Sequence, residues 1–131
     1  MKTVLVVDDD PDIRELVTWK LAQAGYATMS EADGEAALVA VASSAIGGRP
    51  IPDLILVDWM MPRITGIDVC RALRDNPLTA HIPIILLTAK AQQAEIQCGY
   101  AAGVDDYIVK PFSPQAMVTR IEAVLARRQA R

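Results

Sequence analysis

The sequence predicts a single α/β domain built on a five-stranded parallel sheet with helices on both faces. Short apolar runs alternate along the chain with longer segments of helical periodicity, which is typical of repeated βα units. The first, third and fourth apolar runs are almost uniformly apolar, as expected for strands that are covered on both faces. Short connections between the segments favour right-handed crossovers. With 131 residues, 52% of them hydrophobic, the chain can bury one substantial core.

Each element is predicted from local residues. The strands are residues 3–7 (TVLVV), 26–30 (YATMS), 54–57 (LILV), 83–87 (PIILL) and 106–109 (DYIV), and the helices are residues 11–24, 34–44, 66–75, 91–102 and 114–128. Pro11 opens the first helix, Asp10 and Asp12 are expected to cap it, and Gly25 ends it. The Gly- and Pro-rich segment SSAIGGRPIP, residues 43–52, lengthens the connection into the third strand.

Composition excludes several classes of function. The net charge of −3 and the pI near 5.0 argue against nucleic-acid binding by the domain, and we interpret the basic segment ARRQAR, residues 126–131, as a solvated helix end. Cys70 and Cys98 lack CxxC spacing and His81 has no partner at ligand spacing, so no zinc site is expected. The sequence shows neither a signal peptide nor a membrane span of about 18 apolar residues, and we expect a cytoplasmic protein without a membrane partner.

Polar side chains follow four of the five predicted strands. They are Asp8, Asp9 and Asp10 after the first strand, Asp58 after the third, Thr88 after the fourth and Lys110 after the fifth. Because the carboxyl ends of parallel strands meet at one edge of a sheet, these side chains are expected to converge in one cleft. Neighbouring carboxylates repel one another unless a cation lies among them. A hard divalent ion, Mg²⁺, is the predicted cofactor.

The same cluster predicts phosphoryl chemistry at Asp58. A carboxylate flanked by Mg²⁺ and the ammonium of Lys110 can attack an activated phosphoryl group, because both cations stabilise charge on the equatorial oxygens. The product is an aspartyl phosphate. The hydroxyl of Thr88 offers a hydrogen-bond donor at the same edge of the sheet.

Four motifs support this interpretation: VVDDD, LILVDWMMP followed by ITG, LLTAKA and YIVKPF. With them the chain resembles the receiver domain of bacterial two-component response regulators over nearly its whole length. The resemblance implies one receiver domain at residues 1–131, with a core at about 3–125 and a short basic tail at 126–131. It also implies the flavodoxin-like (βα)5 fold with strand order 2-1-3-4-5, and a cis peptide bond between Lys110 and Pro111.

The resemblance assigns roles at the acidic end of the cleft. Asp58 is implied as the phosphoacceptor, and Asp8 and Asp9 as the acidic pair of the family. Asp9 and Asp58 would bind Mg²⁺ together with the backbone carbonyl of Met60, while Asp8 would act mainly through water. On this basis the protein is expected to assist its own phosphorylation and dephosphorylation, and not to turn over an external substrate.

The resemblance also implies a switch and its partners. Thr88 and Tyr107 resemble the family's switch pair, and Lys110 its phosphate-contacting lysine. Phosphorylation would draw Thr88 inward and let Tyr107 turn from a half-exposed to a buried position. The donor is expected to be a sensor histidine kinase or a phosphotransfer protein. The target is either a separate output protein or a C-terminal effector domain, and the sequence leaves both open.

A weak dimer is a further expectation. The segment VDDYIVKPF and the helix after it resemble receivers that precede winged-helix DNA-binding domains, many of which dimerise when phosphorylated. Asp106 and Arg120 match two charged positions that pair across the two-fold axis in those receivers. The fourth predicted helix, AQQAEIQCGYAA, lacks most of the relatives' charges, and exposed pairs contribute only about 0 to 1 kcal/mol each. We therefore expect a monomer at rest and at most a weak dimer when phosphorylated.

Two alternatives to a phosphorylated receiver were weighed. The segment from Asp8 to Asp10 contains the Asp-x-Asp of haloacid-dehalogenase-type phosphatases, but Asp105 and Asp106 precede Lys110 instead of following it. The second alternative is an interaction module of receiver fold that never takes phosphate. The complete set of acids, hydroxyl and lysine at the strand ends disfavours that alternative.

Overall fold

The computed structural model describes residues 1–47, 50–89 and 93–129, and within them five strands alternate with five helices. The strands are β1 (Thr3–Val7), β2 (Ala27–Glu31), β3 (Leu54–Asp58), β4 (Ile84–Thr88) and β5 (Asp106–Val109). The helices are α1 (Pro11–Gln23), α2 (Gly34–Ile46), α3 (Gly66–Asp75), α4 (Gln93–Ala102) and α5 (Pro114–Gln129). The strands are parallel and lie in the order β2-β1-β3-β4-β5. The predicted fold class and strand order are confirmed.

Small differences from the predicted boundaries have local causes. β4 begins at Ile84, one residue later than predicted, since Pro83 has no N–H to donate and only its carbonyl joins the ladder, by accepting from the N–H of Ile55. β3 continues to Asp58, because the next N–H, that of Trp59, still donates to β4. The first two residues of the predicted fourth helix, 91 and 92, lie outside the described part of the chain.

The sheet separates two apolar layers. α2 and α3 cover one face and α1 and α5 cover the other, and successive residues of β1 and β3 point alternately into the two layers, as a period of two requires. Nearly every side chain of β1, β3 and β4 is buried, including the last residues of β3 and β4. Burial of these strands on both faces fixes the positions of their carboxyl ends.

Side-chain caps determine where α1 and α3 begin. Asp10 is the N-cap of α1, and its carboxylate accepts hydrogen bonds from the N–H groups of Asp12 (2.9 Å) and Ile13 (3.5 Å). Thr65 and Asp68 form a capping box at the start of α3, in which each side chain accepts from the other residue's backbone N–H. Both caps lie in loops that directly follow a strand end, so they hold those loops in place.

Gly66 brings the start of α3 against the end of β3. A Cβ atom at this position would lie 2.6 Å from the carbonyl oxygen of Asp58 and 2.8 Å from the side chain of Leu86. The N–H of Gly66 donates to the carbonyl of Trp59 at 2.9 Å. The absence of a side chain therefore lets α3 close the loop that follows Asp58.

At the opposite edge of the sheet, Arg74 joins two connections. Its guanidinium donates to the carbonyls of Ala80 (3.0 Å), Ile82 (2.6 Å) and Gly103 (2.8 and 3.1 Å). It also pairs with the carboxylate of Asp105 at 3.0 Å. The planar fork of arginine suits several acceptors at once, so one side chain fixes the loops before β4 and β5.

The last turn of α5 contacts the same carboxylate, because Arg128 also pairs with Asp105, at 3.0 Å. Arg74, Asp105 and Arg128 together form the Arg74 cluster. The first residues of the predicted basic tail are thus helical, as expected, while residues 130 and 131 lie outside the described residues.

Cys70 is buried and Cys98 exposed. Among the described helices, none has both the length and the apolar character that crossing a bilayer requires.

The Arg74 cluster yields a stability prediction. We expect Arg74→Ala to lower the free energy of unfolding by about 2 to 4 kcal/mol, because half-buried carbonyls and Asp105 lose their donor. Arg74→Lys should recover little, since a single ammonium cannot reach all these acceptors. Urea denaturation followed by circular dichroism measures the difference. Arg71→Ala, at an exposed position of the same helix, is the control. Equal stability of the Arg71 and Arg74 variants would contradict the assigned role.

Candidate functional site

The carboxyl ends of β1 and β3 bring three carboxylates together. Asp8, Asp9 and Asp58 each place a carboxylate oxygen within 4.8 Å of the others. Asp8 is 0% and Asp58 7% exposed, while Asp9 faces solvent. The cluster forms because β1 and β3 are neighbours in the sheet although 50 residues separate Asp8 from Asp58 in the chain. The convergence that the strand ends predicted is present in the structure.

Lys110 completes the cluster from the other side of β4. Its Nζ lies 3.1 Å from Oδ1 of Asp58 and 3.2 Å from Oδ2 of Asp8, so one ammonium donates to both buried carboxylates. The backbone N–H of Lys110 donates to the carbonyl of Thr88 at 2.8 Å. The Lys110–Pro111 bond is cis, as the resemblance implied.

The loop after β1 holds Asp8 in position. Oδ1 of Asp8 accepts from the N–H of Asp10 at 2.9 Å, and the backbone carbonyl of Asp8 accepts from Arg14 at 2.7 Å. Sequence reasoning did not identify Arg14. The spacing in the sequence offers one signal for this contact. Residue 14 lies one helical turn after the N-cap Asp10, so its long side chain can reach back to the residues that precede the helix.

Burial and crowding of negative charge shift the acidity of the site. Burial raises the pKa of Asp58 to about 6, with a further contribution from the charge of Asp8 that the hydrogen bond from Lys110 only partly offsets. Burial lowers the pKa of Lys110, but the hydrogen bonds and charges of Asp58 and Asp8 outweigh it and leave the pKa above its usual value. Two of the three clustered carboxylates share one ammonium, and this excess of negative oxygen ligands fits a hard divalent cation.

Two further predicted residues lie near the cluster, Met60 through its place in the chain and Thr88 through the pairing of β4 with β5. Met60 follows Asp58 by two residues and its side chain is exposed. Ligation by the Met60 backbone carbonyl stays a prediction. Thr88 is the last residue of β4 and is 2% exposed. Its position beside Lys110 places a hydroxyl at the same edge of the sheet, as the sequence predicted.

The resemblance implied a half-exposed and a buried position for the side chain of Tyr107, and the structure has the buried one. Its side chain is 7% exposed and its hydroxyl donates to the carbonyl of Ile96 in α4 at 2.6 Å. Burial raises the pKa of Tyr107 to about 12, and the neighbouring Tyr100 adds to the shift. The ring therefore links β5 to α4 in this structure.

Asp106 and Arg120, expected to pair across a dimer axis, pair within one chain. Nη1 of Arg120 lies 3.1 Å from Oδ1 and 3.2 Å from Oδ2 of Asp106. Arg120 remains largely exposed on α5. An interchain pair would have to replace this intrachain contact.

The raised pKa of Asp58 predicts a pH-dependent stability. The folded-state pKa lies above the unfolded value, so the ionised carboxylate destabilises the fold above about pH 6, and this cost shrinks as the pH falls toward 4. In metal-free buffer, the free energy of unfolding of Asp58→Asn should exceed that of the wild type by about 2 to 3 kcal/mol near pH 7.5 and by about 1 kcal/mol near pH 4.5. Urea denaturation at both pH values measures the difference.

Asp75→Asn, which removes an exposed acid from α3, is the matched control and should leave stability within about 0.5 kcal/mol at both pH values. Excess Mg²⁺ should reduce the advantage of Asp58→Asn, because a bound cation favours the ionised carboxylate. If Asp58→Asn were more stable than the wild type by the same amount at both pH values, burial of the Asp58 charge would not be the cause of the difference.

Comparison with known proteins identifies the family of the chain. Residues 4–122 match the model of the family described as response regulator receiver domain. The chain is 46% identical over 126 residues to the phosphate regulon transcriptional regulatory protein PhoB of Pseudomonas aeruginosa, covering 96% of this chain and 52% of that protein. It is 42% identical over 126 residues to the DNA-binding response regulator MtrA of Mycolicibacterium smegmatis, covering 96% and 51%. The chain thus spans about half the length of these curated relatives.

Solved structures agree with the fold. The chemotaxis protein CheY4 of Vibrio cholerae superposes with a TM-score of 0.86 at 33% identity, covering 95% of this chain and 98% of that one. The family match covers both strands that carry the acidic cluster as well as Thr88 and Lys110. Because the family model matches residues 4–122 and the fold agrees, the chain belongs to the receiver domain family of two-component response regulators.

Proposed function

We propose that this receiver domain accepts a phosphoryl group on Asp58 and that the phosphorylated form changes the face it presents to a partner. The observation that carries the proposal is the position of Asp58, whose carboxylate lies 3.1 Å from Nζ of Lys110 and belongs to the acidic cluster. Family membership disfavours the phosphatase alternative. The alternative of a module that takes no phosphate is decided by the labelling experiment below.

The residues of the cleft support an in-line transfer. With a pKa of about 6, Asp58 is ionised at neutral pH and is available as the nucleophile. A carboxylate oxygen of Asp58 forms the new P–O bond while the donor's bond to phosphorus breaks, and the electron pair leaves with the donor. Lys110, already 3.1 Å from Asp58, donates to a phosphoryl oxygen, and the hydroxyl of Thr88 is the proposed second donor.

Mg²⁺ is the proposed cofactor. Asp9 and Asp58 would hold the ion with the backbone carbonyl of Met60, and Asp8 would contact it through water. When bound, the ion supplies positive charge that stabilises the equatorial oxygens of the transferring group. The short distances among the three carboxylates support this assignment, because they leave an excess of negative charge in a mostly buried site.

The phosphodonor is proposed to be a histidine kinase or a phosphotransfer protein that docks beside the cleft. A groove of about 440 Å³ borders Lys110 and is lined by Ile13, Leu16, Ala89, Lys110, Pro111 and Phe112. Leu16 and Trp19 leave apolar surface exposed on α1 next to this groove. A partner that delivers a phosphoryl group to Asp58 must cover this rim, and apolar side chains suit the centre of such an interface.

The proposed output is a change in the surface formed by α4, β5 and α5, with Thr88 and Tyr107 as the switch pair. The target is a separate protein or an effector domain of a longer chain. The relatives named as a transcriptional regulatory protein and as a DNA-binding response regulator, of which this chain covers about half, support the second arrangement. The acidic receiver itself is not proposed to bind nucleic acid. We place the protein in the cytoplasm, where the phosphohistidine of a sensor kinase would be accessible.

Labelling of Asp58 tests the proposed function. Incubation with acetyl phosphate and Mg²⁺, followed by borohydride trapping and mass spectrometry, should place the modification on Asp58. EDTA should abolish it, because the transferring group then lacks its principal cation. Asp58→Asn should remove the label and Asp75→Asn should retain it. A label on another residue, or equal labelling of Asp58→Asn, would refute the assignment.

Self-association tests the proposed dimer. We expect a monomer at rest and a weak dimer with beryllofluoride, because Arg120 must exchange its contact with Asp106 of its own chain for one across the axis. Arg120→Glu should remove the activated dimer in light scattering. Arg71→Glu, which changes an exposed cation on α3 in the same way, should leave it intact. A tight dimer before activation, or an activated dimer insensitive to Arg120→Glu, would contradict this model.

A further inference from the structure

The ring of Tyr107 is enclosed on three sides. The edge of the ring meets Tyr100 of α4 at a centroid distance of 5.1 Å and an interplanar angle of 80°. Trp59, the residue after Asp58, lies 6.4 Å away at 40°. The hydroxyl ends at the backbone of α4, where it donates to the carbonyl of Ile96. These contacts hold the ring against the middle of α4.

Gly99 provides the remaining side of this enclosure. A Cβ atom at position 99 would overlap the hydroxyl oxygen of Tyr107, and it would lie 2.7 Å from Cζ and 3.3 Å from Cε1 of the same ring. Separations below about 3.0 Å are not adopted by real Cβ atoms. A side chain at position 99 would therefore require either the ring of Tyr107 or helix α4 to shift.

The backbone gives no other reason for glycine here. Gly99 lies inside α4 and is absent from the described glycines with positive φ, which are Gly25 and Gly103. Glycine is a poor helix former, and alanine would favour the same backbone. The local helical preference thus opposes glycine, while the contact with Tyr107 requires it.

We propose that Gly99 is the positioning residue that makes the buried position of Tyr107 available, and thereby sets the conformation of the surface formed by α4, β5 and α5. The effect on signalling rests on the function proposed above, whereas the effect on the tyrosine does not. Alanine at position 99 forces one of two responses: the ring turns out of its enclosure, or α4 moves away from β5.

Nuclear Overhauser effects measure the position of the ring. In the wild type, ring protons of Tyr107 should show cross-peaks to the α-protons of Gly99 and to the ring of Tyr100, since these groups are in contact. Gly99→Ala should lose the cross-peaks between Tyr107 and α4. Ala101→Ser, which adds one atom to an exposed position of the same helix, should keep them. Retention of the cross-peaks with Ala in place of Gly99 would overturn the proposal.

A second variant covers the case in which Gly99→Ala does not fold. In the Tyr107→Ala background the ring is gone, so adding Gly99→Ala should give a folded protein that is at least as resistant to urea as Tyr107→Ala alone, because alanine is the better helix former. Loss of folding in this double variant would show that position 99 excludes a side chain for a reason unrelated to Tyr107.

Labelling separates this proposal from the proposed function. Gly99→Ala leaves Asp58, Lys110 and the acidic pair unchanged, so acetyl phosphate should still label Asp58 while beryllofluoride no longer alters the resonances of α4 and β5 as it does in the wild type. An unchanged beryllofluoride response would overturn the link to signalling. If the wild type itself takes no label, the proposed function fails, and the cross-peaks still decide the role of Gly99.

Discussion

Two buried carboxylates that share one ammonium are the constraint on which the structure of the cleft depends. Asp8 and Asp58 come from adjacent strands, and Lys110 reaches them from beyond β4, so all three strands must end at the same level for these contacts to form. The charges do not balance, and the raised pKa of Asp58 records the cost. A site with an excess of negative charge would gain stability from an arriving cation, which supports the proposal that cation binding and phosphoryl transfer use the same cluster.

The contacts that fix the loops around the cleft explain how the fold tolerates the cost of burying unbalanced charge. Caps at α1 and α3 and the close approach of Gly66 fix the loops that follow β1 and β3, and the buried strands leave those loops little freedom. At the opposite edge, Arg74 satisfies the carbonyls of the loops before β4 and β5. The two edges thus differ in charge: at one edge the guanidinium of Arg74 is matched by carbonyls and by Asp105, and at the other edge three carboxylates lie close together.

The sequence predicted what depends on local pattern and on the shared edge of a parallel sheet. Apolar runs identified the strands, and the polar residues at their ends identified Asp8, Asp9, Asp58, Thr88 and Lys110, which the structure brings to one edge. Contacts made between side chains of separate elements could not be predicted in this way. The pairing of Asp106 with Arg120 inside one chain depends on how α5 packs beside β5. Arg14 and Gly99 have roles only through neighbours that the linear sequence does not show.

Trp59 provides a physical connection between the cleft and the surface formed by α4, β5 and α5. It directly follows Asp58, the proposed phosphoacceptor. The N–H of Trp59 donates to the carbonyl of Leu87 in β4, its carbonyl accepts from the N–H of Gly66, and its ring packs against Tyr107. A displacement of the end of β3 therefore has a direct route to the tyrosine through packed atoms, in addition to the proposed route through Thr88. Because the enclosure of Tyr107 has no spare volume at Gly99, the ring cannot follow such a displacement gradually. Close packing of this kind favours discrete positions over continuous deformation, which is the property that a two-state switch requires.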